Sequence, residues 1–96
     1  MKDREYICIL FDYYGELLTE KQNEYFQDYY FENLTLSDIS ENNNVSRNAV
    51  HKTIKESEEK LLFYEEKLNL YRKSEQIKNI ISNLDDDLQN QIIQLI

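Results

Sequence analysis

The chain holds one glycine and no proline in 96 residues. Glycine and proline form most tight turns and most helix breaks, so a series of β-strands joined by short turns is hard to place in this sequence. Apolar side chains instead recur three and four residues apart over most of the chain, as they do on the buried face of a helix. We therefore predict an all-α fold in a single domain, because 96 residues are enough for one modest core.

Residues 34–62 have the form of a helix-turn-helix. Thr35 is placed to cap a short helix, and Asp38 completes a capping-box pattern. The asparagines at 42–44 then break this helix, since Asn tolerates left-handed backbone angles, and Ser46 caps the next one. A short helix, a brief turn and a capped second helix are the sequence form of this motif. Similar caps also occur in ordinary helix pairs of all-α proteins, so both interpretations stay open at this point.

The second helix of the pair begins on a basic patch. Residues 46–55 contain no acid and four basic side chains, which are Arg47, His51, Lys52 and Lys55. The net charge of the whole chain is −8, whereas residues 46–60 hold four Lys or Arg and three Glu, giving +1. Much of the affinity for nucleic acids comes from neutralising phosphates. The patch therefore keeps nucleic-acid binding possible in a chain whose overall charge does not favour it.

Two amphipathic helices are expected ahead of this pair. The first covers residues 4–18, and its apolar face is formed by Ile7, Leu10, Phe11, Tyr14 and Leu17. Gly15 costs about 1 kcal/mol against Ala within a helix, so we take it to mark a close contact with another helix. The second covers residues 20–31 and is opened by a capping box of Thr19 and Gln22.

Four aromatic residues fall close together on this second helix: Tyr25, Phe26, Tyr29 and Tyr30. Aromatic rings can serve as a stacking platform for the bases of a single-stranded nucleic acid. They can equally fill the core between helices, as large aromatic residues commonly do. The acids Glu24, Asp28 and Glu32 would repel phosphates, so we favour core packing.

No Gly or Pro interrupts residues 47–73, which would form a helix of about 40 Å if helical throughout. An apolar seam with alternating spacings of four and three runs through Val50, Ile54, Ser57, Leu61, Tyr64, Leu68 and Tyr71. From Leu61 onward this small chain has little left to cover the seam, so two chains pairing through it would bury it. The alternative is a tail that folds back onto the seam of its own chain. We predict a homodimer.

Residues 75–96 continue as helix, with a break at Asn83 and three aspartates at 85–87 in a favourable first turn. An acidic helix start explains these aspartates better than a loosely bound cation. The apolar stripe consists of Ile77, Ile81, Leu84, Leu88, Ile92 and Leu95. It is expected to pack on the long helix of its own chain or of a partner. We divide the single domain into a helix-turn-helix core at about 19–60 and, at about 61–96, the long and C-terminal helices for packing or dimerisation.

No set of catalytic residues stands out. His51 is the only histidine and Cys8 the only cysteine, so a zinc site of the usual kind cannot be assembled. One glycine cannot build a phosphate-cradling loop. We predict a protein that is not an enzyme and that uses no metal or cofactor. The sequence shows no signal peptide and no apolar run near the roughly 18 residues that span a membrane, so we expect a cytoplasmic protein without membrane contact.

Four segments together resemble one bacterial protein family: LLTEKQ, DYYFENLTLSDISE, VSRNAVH and YEEKLNLY. Across nearly its whole length the chain resembles the YlxM family, whose core is similar to the helix-turn-helix of region four of the sigma factors. In that comparison LTEKQ matches the LTxxQ that opens a helix before the pair. The resemblance implies a DNA-binding or regulatory protein. It also implies a link to the signal recognition particle pathway, because the family's genes lie beside that of the pathway's GTPase.

The resemblance further implies a set of nucleic-acid-binding residues: Ser46, Arg47, Asn48, His51, Lys52 and Lys55. Ser46 and Asn48 would bond phosphate from the helix start, and Arg47 would contact a base or a phosphate. Lys52 and Lys55 would hold the nucleic-acid backbone. Our leading hypothesis is a non-enzymatic regulatory protein of the signal recognition particle pathway that binds DNA or RNA through these residues. The alternative is an adaptor whose acidic, Tyr-rich face binds a basic protein such as the pathway's GTPase, with the helix-turn-helix as a scaffold only.

Overall fold

The structure, a computed structural model, describes residues 3–96 and is built around one long helix, α4 (Arg47–Leu68). Before it come α1 (Arg4–Tyr14), a 3-10 turn (Gly15–Leu17), α2 (Glu20–Tyr30) and α3 (Leu36–Asn43); after it come α5 (Leu70–Ile80) and α6 (Asp86–Ile93). Helices α1, α2 and α3 all pack on α4, and α5 packs back on α1. All regular secondary structure within residues 3–96 is helical, which confirms the predicted all-α class.

Helix α4 takes part in two apolar clusters. The first joins α1, α2 and the second half of α4 through Ile7, Leu10, Tyr14, Leu18, Phe26 and Leu61. The second joins α2, α3 and the first half of α4 through Tyr25, Ile39, Val50 and Ile54. Each fully buried Leu, Ile or Phe side chain stabilises the fold by about 1.5–3 kcal/mol relative to an exposed one. Because Tyr25 and Phe26 are neighbours on α2, this helix ties the two clusters together.

The predicted helix starts at Thr19, Thr35 and Ser46 are confirmed. The Oγ1 of Thr19 accepts a hydrogen bond from the Gln22 N–H at 3.2 Å, and Oε1 of Gln22 accepts one from the Thr19 N–H at 3.1 Å. Thr35 and Asp38 form the same reciprocal pair, with both distances at 3.0 Å. These bonds satisfy backbone donors that have no partner within the helix.

The first helix is shorter than predicted, because the chain passes into a 3-10 turn at Gly15. Leu17 consequently lies on the surface, 52% exposed, and Leu18 takes the core position in its place. The expected close contact of Gly15 with another helix is wrong, because the space beside its Cα is filled by the ring of Phe11 in α1. Gly15 contacts α2 only through its carbonyl, which accepts a 2.9 Å hydrogen bond from the Asn23 side chain, a contact that any residue could make.

The predicted long fourth helix is present, but it does not continue to residue 73, because α4 ends at Leu68. Asn69 adopts left-handed backbone angles (φ 56°, ψ 31°), and α5 begins at the next residue. Asn33 and Asn44 also have positive φ, at 56° and 54°. In a chain with one glycine, asparagine takes the left-handed positions that glycine most often fills.

The apolar seam of α4 is covered by its own chain as far as Leu61. Leu61 is fully buried in the cluster with α1, so the prediction that the seam lies uncovered from this residue is wrong. Further on, Glu65 takes the buried position and Leu68 is 45% exposed. A straight helix has 3.6 residues per turn, so a strict repeat of four and three residues drifts out of register with the core.

The C-terminal helix α6 does not pack extensively on the long helix of its own chain, and no residue of α6 is fully buried. Of the predicted apolar stripe, only Ile81 is buried, and it lies at the end of α5. Among the helices of residues 3–96, none is both long and apolar enough to cross a membrane.

Candidate nucleic-acid interface

A three-residue turn, Asn44, Val45 and Ser46, joins α3 to α4. Asn44 has left-handed angles (φ 54°, ψ 43°), and the Val45 N–H donates to the carbonyl of Ser40 at 3.1 Å. The Oγ of Ser46 then accepts from the Ala49 N–H at 3.0 Å and caps α4. The predicted helix-turn-helix is therefore present, with the predicted break and cap.

Buried apolar side chains fix α4 against α3. Ile39 of α3 and Val50 of α4 are both fully buried, in one cluster with Tyr25 of α2. Leu36 and Val45 are partly buried at the edge of this cluster. Because the core occupies this side of α4, the other side of its first half is left to the solvent.

The predicted site residues all lie on that free side of α4 or at its cap, and each is exposed: Ser46, Arg47, Asn48, His51, Lys52 and Lys55. Residues three and four positions apart share one face of a helix. The fold thus brings Arg47 and His51 together with Asn48 and Lys52 on one surface, and Lys55 extends it by a further turn.

The charges of this surface are not neutralised within the described part of the chain. Over residues 3–96 no salt bridge reaches Arg47, Lys52 or Lys55. Lys60, further along α4, is held differently, with its Nζ 3.2 Å from Oε1 of Gln22. The first turn of α4 contains no acid, and a helix start carries a partial positive charge of its own. The beginning of α4 is therefore a local positive site on an acidic protein.

Two open grooves meet at Arg47. The first is lined by Leu36, Ser46, Arg47, Asn48 and His51. The second is lined by Arg4, Tyr29, Asn33, Leu34, Thr35, Leu36, Ser37 and Arg47. Neither groove is lined by an acid, whereas the grooves beside α5, beside Glu58 and along α2 are lined by one to four acidic residues. The two grooves share Leu36 and Arg47, and together they form a path lined by no carboxylate.

Comparison with known proteins identifies the family to which this helix-turn-helix belongs. The family described as "UPF0122: Putative helix-turn-helix protein, YlxM / p13 like" matches residues 1–96. The chain belongs to this family. It is 46% identical over 99 residues to UPF0122 protein MYPE4850 of Malacoplasma penetrans, covering 97% of this chain and 92% of that protein. It is also 39% identical over 115 residues to UPF0122 protein NT01CX_2214 of Clostridium novyi, covering all of both chains.

The family assignment confirms the resemblance to the YlxM family over the whole chain. It also agrees with the helix-turn-helix observed at α3 and α4, so sequence and structure point to the same motif. A third relative, a UPF0122 protein of Desulforamulus reducens, is 48% identical over 82 residues, which cover 84% of this chain and 70% of that protein.

One basic residue of this UPF0122 chain that borders the interface was not predicted. Arg4 lies at the start of α1, and its Nη2 donates to the backbone carbonyls of Tyr29 and Tyr30 at 3.1 and 3.3 Å. Its guanidinium carbon lies 4.4 Å from the centroid of the Tyr30 ring. These contacts hold Arg4 at the end of α2, where it lines the same groove as Arg47. No local sequence signal marks Arg4, because only tertiary packing brings it near α4.

The aromatic residues of α2 fill the core, as predicted, rather than forming an exposed platform. Tyr25 and Phe26 are buried, and the ring of Phe26 stacks on that of Phe11 with centroids 4.6 Å apart. Tyr30 is half-buried, and its hydroxyl donates to a carboxylate oxygen of Glu58. Burial, together with this acceptor, raises the pKa of Tyr30 above its usual value.

Proposed function

We propose that this UPF0122 chain is a cytoplasmic, non-enzymatic regulatory protein that binds nucleic acid through α4, and that its ligand is duplex DNA. The observation that carries the proposal is the carboxylate-free path of two grooves that meet at Arg47, in a chain of net charge −8. A polyanion binds where phosphates are neutralised and avoids acidic surfaces. The start of α4 meets this requirement better than the grooves lined by acids.

The shape of the motif favours DNA over duplex RNA. The major groove of B-form DNA is about 12 Å wide and admits an α-helix, whereas the major groove of A-form RNA is too narrow for side chains to read. In a helix-turn-helix the first residues of the second helix reach the base edges. We assign base contacts to Arg47, Asn48 and His51, which lie at this end of α4.

The remaining residues are assigned to the phosphates. Lys52 and Lys55 lie further along the same exposed face and would contact the DNA backbone, which fixes position without reading sequence. The hydroxyl of Ser46 already accepts a hydrogen bond from the Ala49 N–H, so it is left with its own hydrogen to donate to a phosphate.

Fluorescence anisotropy with labelled duplex DNA tests the proposal, with the host's signal recognition particle RNA as a parallel ligand. Titrations at about 50 and 200 mM salt should show weaker binding at the higher concentration, because phosphate contacts release counterions. We expect Arg47→Ala with Lys52→Ala to abolish measurable binding. If the protein bound the RNA and not the DNA, its ligand would be RNA, and the exposed face of α4 would remain the proposed binding surface.

A matched control removes the same amount of charge elsewhere. Lys21 of α2 and Lys67 near the end of α4 are both exposed and lie outside the two grooves. Lys21→Ala with Lys67→Ala should therefore bind like wild type. If both double variants lose binding to the same extent, net charge accounts for the effect and the α4 face has no special part. Absence of wild-type binding at low salt would overturn the proposal.

We also propose that the protein acts as a homodimer within the signal recognition particle pathway. The pathway is inferred from the resemblance to the YlxM family, and the homodimer from apolar surface that a single chain leaves exposed. Co-purification of the particle's RNA or GTPase with the tagged protein from its host tests the first point. Recovery of neither component would count against it.

The second candidate function is an adaptor that binds a basic protein, such as the GTPase of that pathway. The observation in its favour is a groove along α2 lined by the carboxylates of Glu20, Glu24, Asp28 and Glu32, which shares no residue with the two grooves at Arg47. A pulldown with the GTPase distinguishes the candidates. Loss of binding in Glu24→Gln with Asp28→Asn, but not in the Arg47/Lys52 double variant, would favour the adaptor.

A further inference from the structure

Arg4 is ordered at the end of α2 but keeps hydrogen-bond donors that the protein does not use. Its Nη2 donates to the carbonyls of Tyr29 and Tyr30, and its guanidinium lies over the Tyr30 ring. Within residues 3–96 the N–H groups on Nε and Nη1 donate to no protein atom. The side chain is exposed to solvent. A guanidinium that is fixed in place can therefore still bind a ligand through its free N–H groups.

No carboxylate neutralises the charge of Arg4 in the described part of the chain, where no salt bridge reaches it. Its neighbours Asp3 and Glu5 do not line its groove, and the carboxylate of Asp3 instead caps α1 by accepting from the Glu5 N–H at 3.0 Å. Asp38 of α3 does not line the groove either, and its carboxylate accepts from the Thr35 N–H. The end of α2 carries about half a negative charge, which the full charge of Arg4 outweighs.

Arg4 lines the second of the two grooves at Arg47, which we call the Arg4 groove. Asn33 and Ser37 also line this groove, and over residues 3–96 neither side chain forms a hydrogen bond with the protein. An amide and a hydroxyl can both donate to an anion. Two guanidinium groups and two neutral donors thus line one groove that contains no carboxylate.

We propose that the Arg4 groove holds one phosphate of the bound DNA backbone and that Arg4 neutralises it. A guanidinium can donate two parallel hydrogen bonds to a phosphate, and such a contact positions the DNA without reading its sequence. Arg47 lines both grooves, so this phosphate would lie next to the base that Arg47 contacts. Because Arg4 is already ordered by α2, it loses little side-chain entropy on binding.

This contact depends on the DNA binding proposed above, and it extends the DNA-binding surface beyond the helix-turn-helix to the start of α1. Asn33 and Ser37 would donate to the same phosphate from the loop before α3 and from its first turn. Arg4 would act on the DNA backbone alone, so its loss should weaken binding to all duplex sequences about equally.

The salt dependence of DNA binding by the full chain tests this contact. Each phosphate contact contributes a factor that varies as about the −0.9 power of the salt concentration. We expect Arg4→Gln to bind labelled duplex DNA about 15-fold more weakly than wild type at about 50 mM salt and about fourfold more weakly at about 200 mM. The slope of log K against the log of the salt concentration should fall in magnitude by about 0.9.

Arg4→Lys separates the charge of Arg4 from its structural role. Lysine keeps the charge but lacks the planar fork of donors, so Arg4→Lys and Arg4→Gln both disturb the contacts with Tyr29 and Tyr30. Urea unfolding measures that shared loss, whereas only Arg4→Lys should keep the wild-type salt slope. Arg72→Gln is the matched control, since Arg72 is exposed and lies outside both grooves. Its slope should equal that of wild type.

Asn33→Gly with Ser37→Ala tests the neutral donors of the Arg4 groove. Asn33 has a φ of 56°, which glycine adopts easily, so this variant should keep the fold. It should weaken DNA binding several-fold and by the same factor at both salt concentrations, because neutral donors release no counterions. In an Arg4→Gln background the effect should shrink, since groups that hold one phosphate do not act independently.

The possible results distinguish this contact from the proposed function. Absence of DNA binding by wild type at about 50 mM salt overturns both. Binding that the Arg47/Lys52 double variant loses, but that Arg4→Gln retains with an unchanged slope, keeps the α4 face and overturns the contact by Arg4. Equal weakening of Arg4→Gln and Arg4→Lys at both salt concentrations overturns it too, because Arg4 would then only hold α2. A slope lowered as much by Arg72→Gln would show an effect of net charge and would also overturn the contact.

Discussion

The hydroxyl of Tyr14 donates a 2.6 Å hydrogen bond to Oε1 of Glu65, which lies 51 residues away in the chain. Both side chains are buried, with exposures of 1% and 7%. The carboxylate of Glu65 also accepts from the N–H groups of Tyr71 and Arg72 at 3.1 and 3.0 Å. The oxygen of Tyr14 accepts from the N–H of Leu70 at 3.0 Å. Two side chains from α1 and α4 thus cap the first three N–H groups of α5.

This arrangement explains why the chain can stop α4 and begin α5 within one residue. Asn69 supplies the left-handed turn, but its side chain makes no capping bond. Free N–H groups at a buried helix start are costly unless they find acceptors. A buried carboxyl group is also costly unless its oxygens accept hydrogen bonds. The carboxylate of Glu65 accepts the hydrogen bonds that the N–H groups at the start of α5 need to donate. Tyr14 of α1 forms hydrogen bonds with both Glu65 and α5.

Tyr14→Phe removes the hydroxyl and leaves Glu65 and the Leu70 N–H each without one partner. We expect the free energy of unfolding to fall by about 1–3 kcal/mol, the usual cost of an unsatisfied buried polar group. Urea denaturation followed by circular dichroism measures this change. Tyr13→Phe is the matched control, since within residues 3–96 the structure records no hydrogen bond of its hydroxyl. Equal losses in the two variants would show that the Tyr14 hydroxyl has no special role.

Glu65→Gln keeps the size of the side chain but replaces one acceptor with an amide NH2 group. That group cannot accept from the N–H of Tyr71 or Arg72, so the start of α5 should open more often. Hydrogen exchange at these two amides should become faster, while exchange in α3 stays unchanged. In a double-mutant cycle with Tyr14→Phe, the losses should not add, because the two residues share a hydrogen bond. Additive losses would contradict this coupling.

The free energy of unfolding should fall in alkaline solution because the pKa of Tyr14 is raised in the folded protein. Burial, and then the hydrogen bond to Glu65, raises the pKa of Tyr14 to about 12, above the value of about 10 in an unfolded chain. Between these values the folded state keeps a proton that the unfolded state has lost, so the free energy of unfolding decreases as pH rises. The contribution of the Tyr14 hydroxyl to the free energy of unfolding is complete below about pH 10. It is lost as pH rises through the folded-state pKa of about 12.

We therefore expect the urea midpoint of wild type to fall more steeply between about pH 10 and 12 than that of Tyr14→Phe. The pKa of Tyr30 is also raised, but Tyr30 is present in both proteins and does not affect the difference between them. Parallel curves for the two proteins would contradict the prediction.

Asn44 should be replaceable by Gly but not by Ala. Its left-handed backbone angles (φ 54°, ψ 43°) cost an ordinary residue roughly 1–2 kcal/mol, whereas the short polar side chain of Asn lets it adopt them more easily. Asn44→Ala should lower the free energy of unfolding by about 1 kcal/mol, whereas Asn44→Gly should leave it nearly unchanged. Thermal unfolding of the two variants measures the difference. An Asn44→Ala protein as stable as wild type would contradict this prediction. It would mean that residue 44 can adopt other backbone angles within the helix-turn-helix.

Gly15→Ala should destabilise the protein, although its backbone angles (φ −57°, ψ −34°) suit alanine. A Cβ at this position would lie 2.9 Å from Cε2 of Phe11, whose ring is stacked on Phe26. Overpacking of this kind costs roughly 1–3 kcal/mol, which outweighs the gain of about 1 kcal/mol in helix propensity. In a Phe11→Leu background the same change should become neutral or stabilising. Equal effects in both backgrounds would rule out the Phe11 ring as the cause.

The helix-turn-helix could be predicted from the sequence because its signals are local. Capping pairs such as Thr35 with Asp38, and a break such as Asn44, act between residues a few positions apart. Apolar spacing likewise identified the buried face of α4 down to Leu61. The exposed basic face followed from the same periodicity, since the side opposite the buried residues of a helix faces solvent.

Only the tertiary structure decided where α4 ends, what lies beside Arg47 and which surface stays uncovered. Asn69 can be helical or left-handed, and the hydrogen bonds by which Glu65 and the distant Tyr14 cap the start of α5 settle the choice. Arg4 reaches the groove of Arg47 because it donates to the carbonyls of Tyr29 and Tyr30 at the end of α2. Neighbouring backbone and side-chain groups determined the helix starts at Thr19, Thr35 and Ser46, so these could be predicted from local sequence. Burial depends on which helices meet, so it became definite only once the chain was folded.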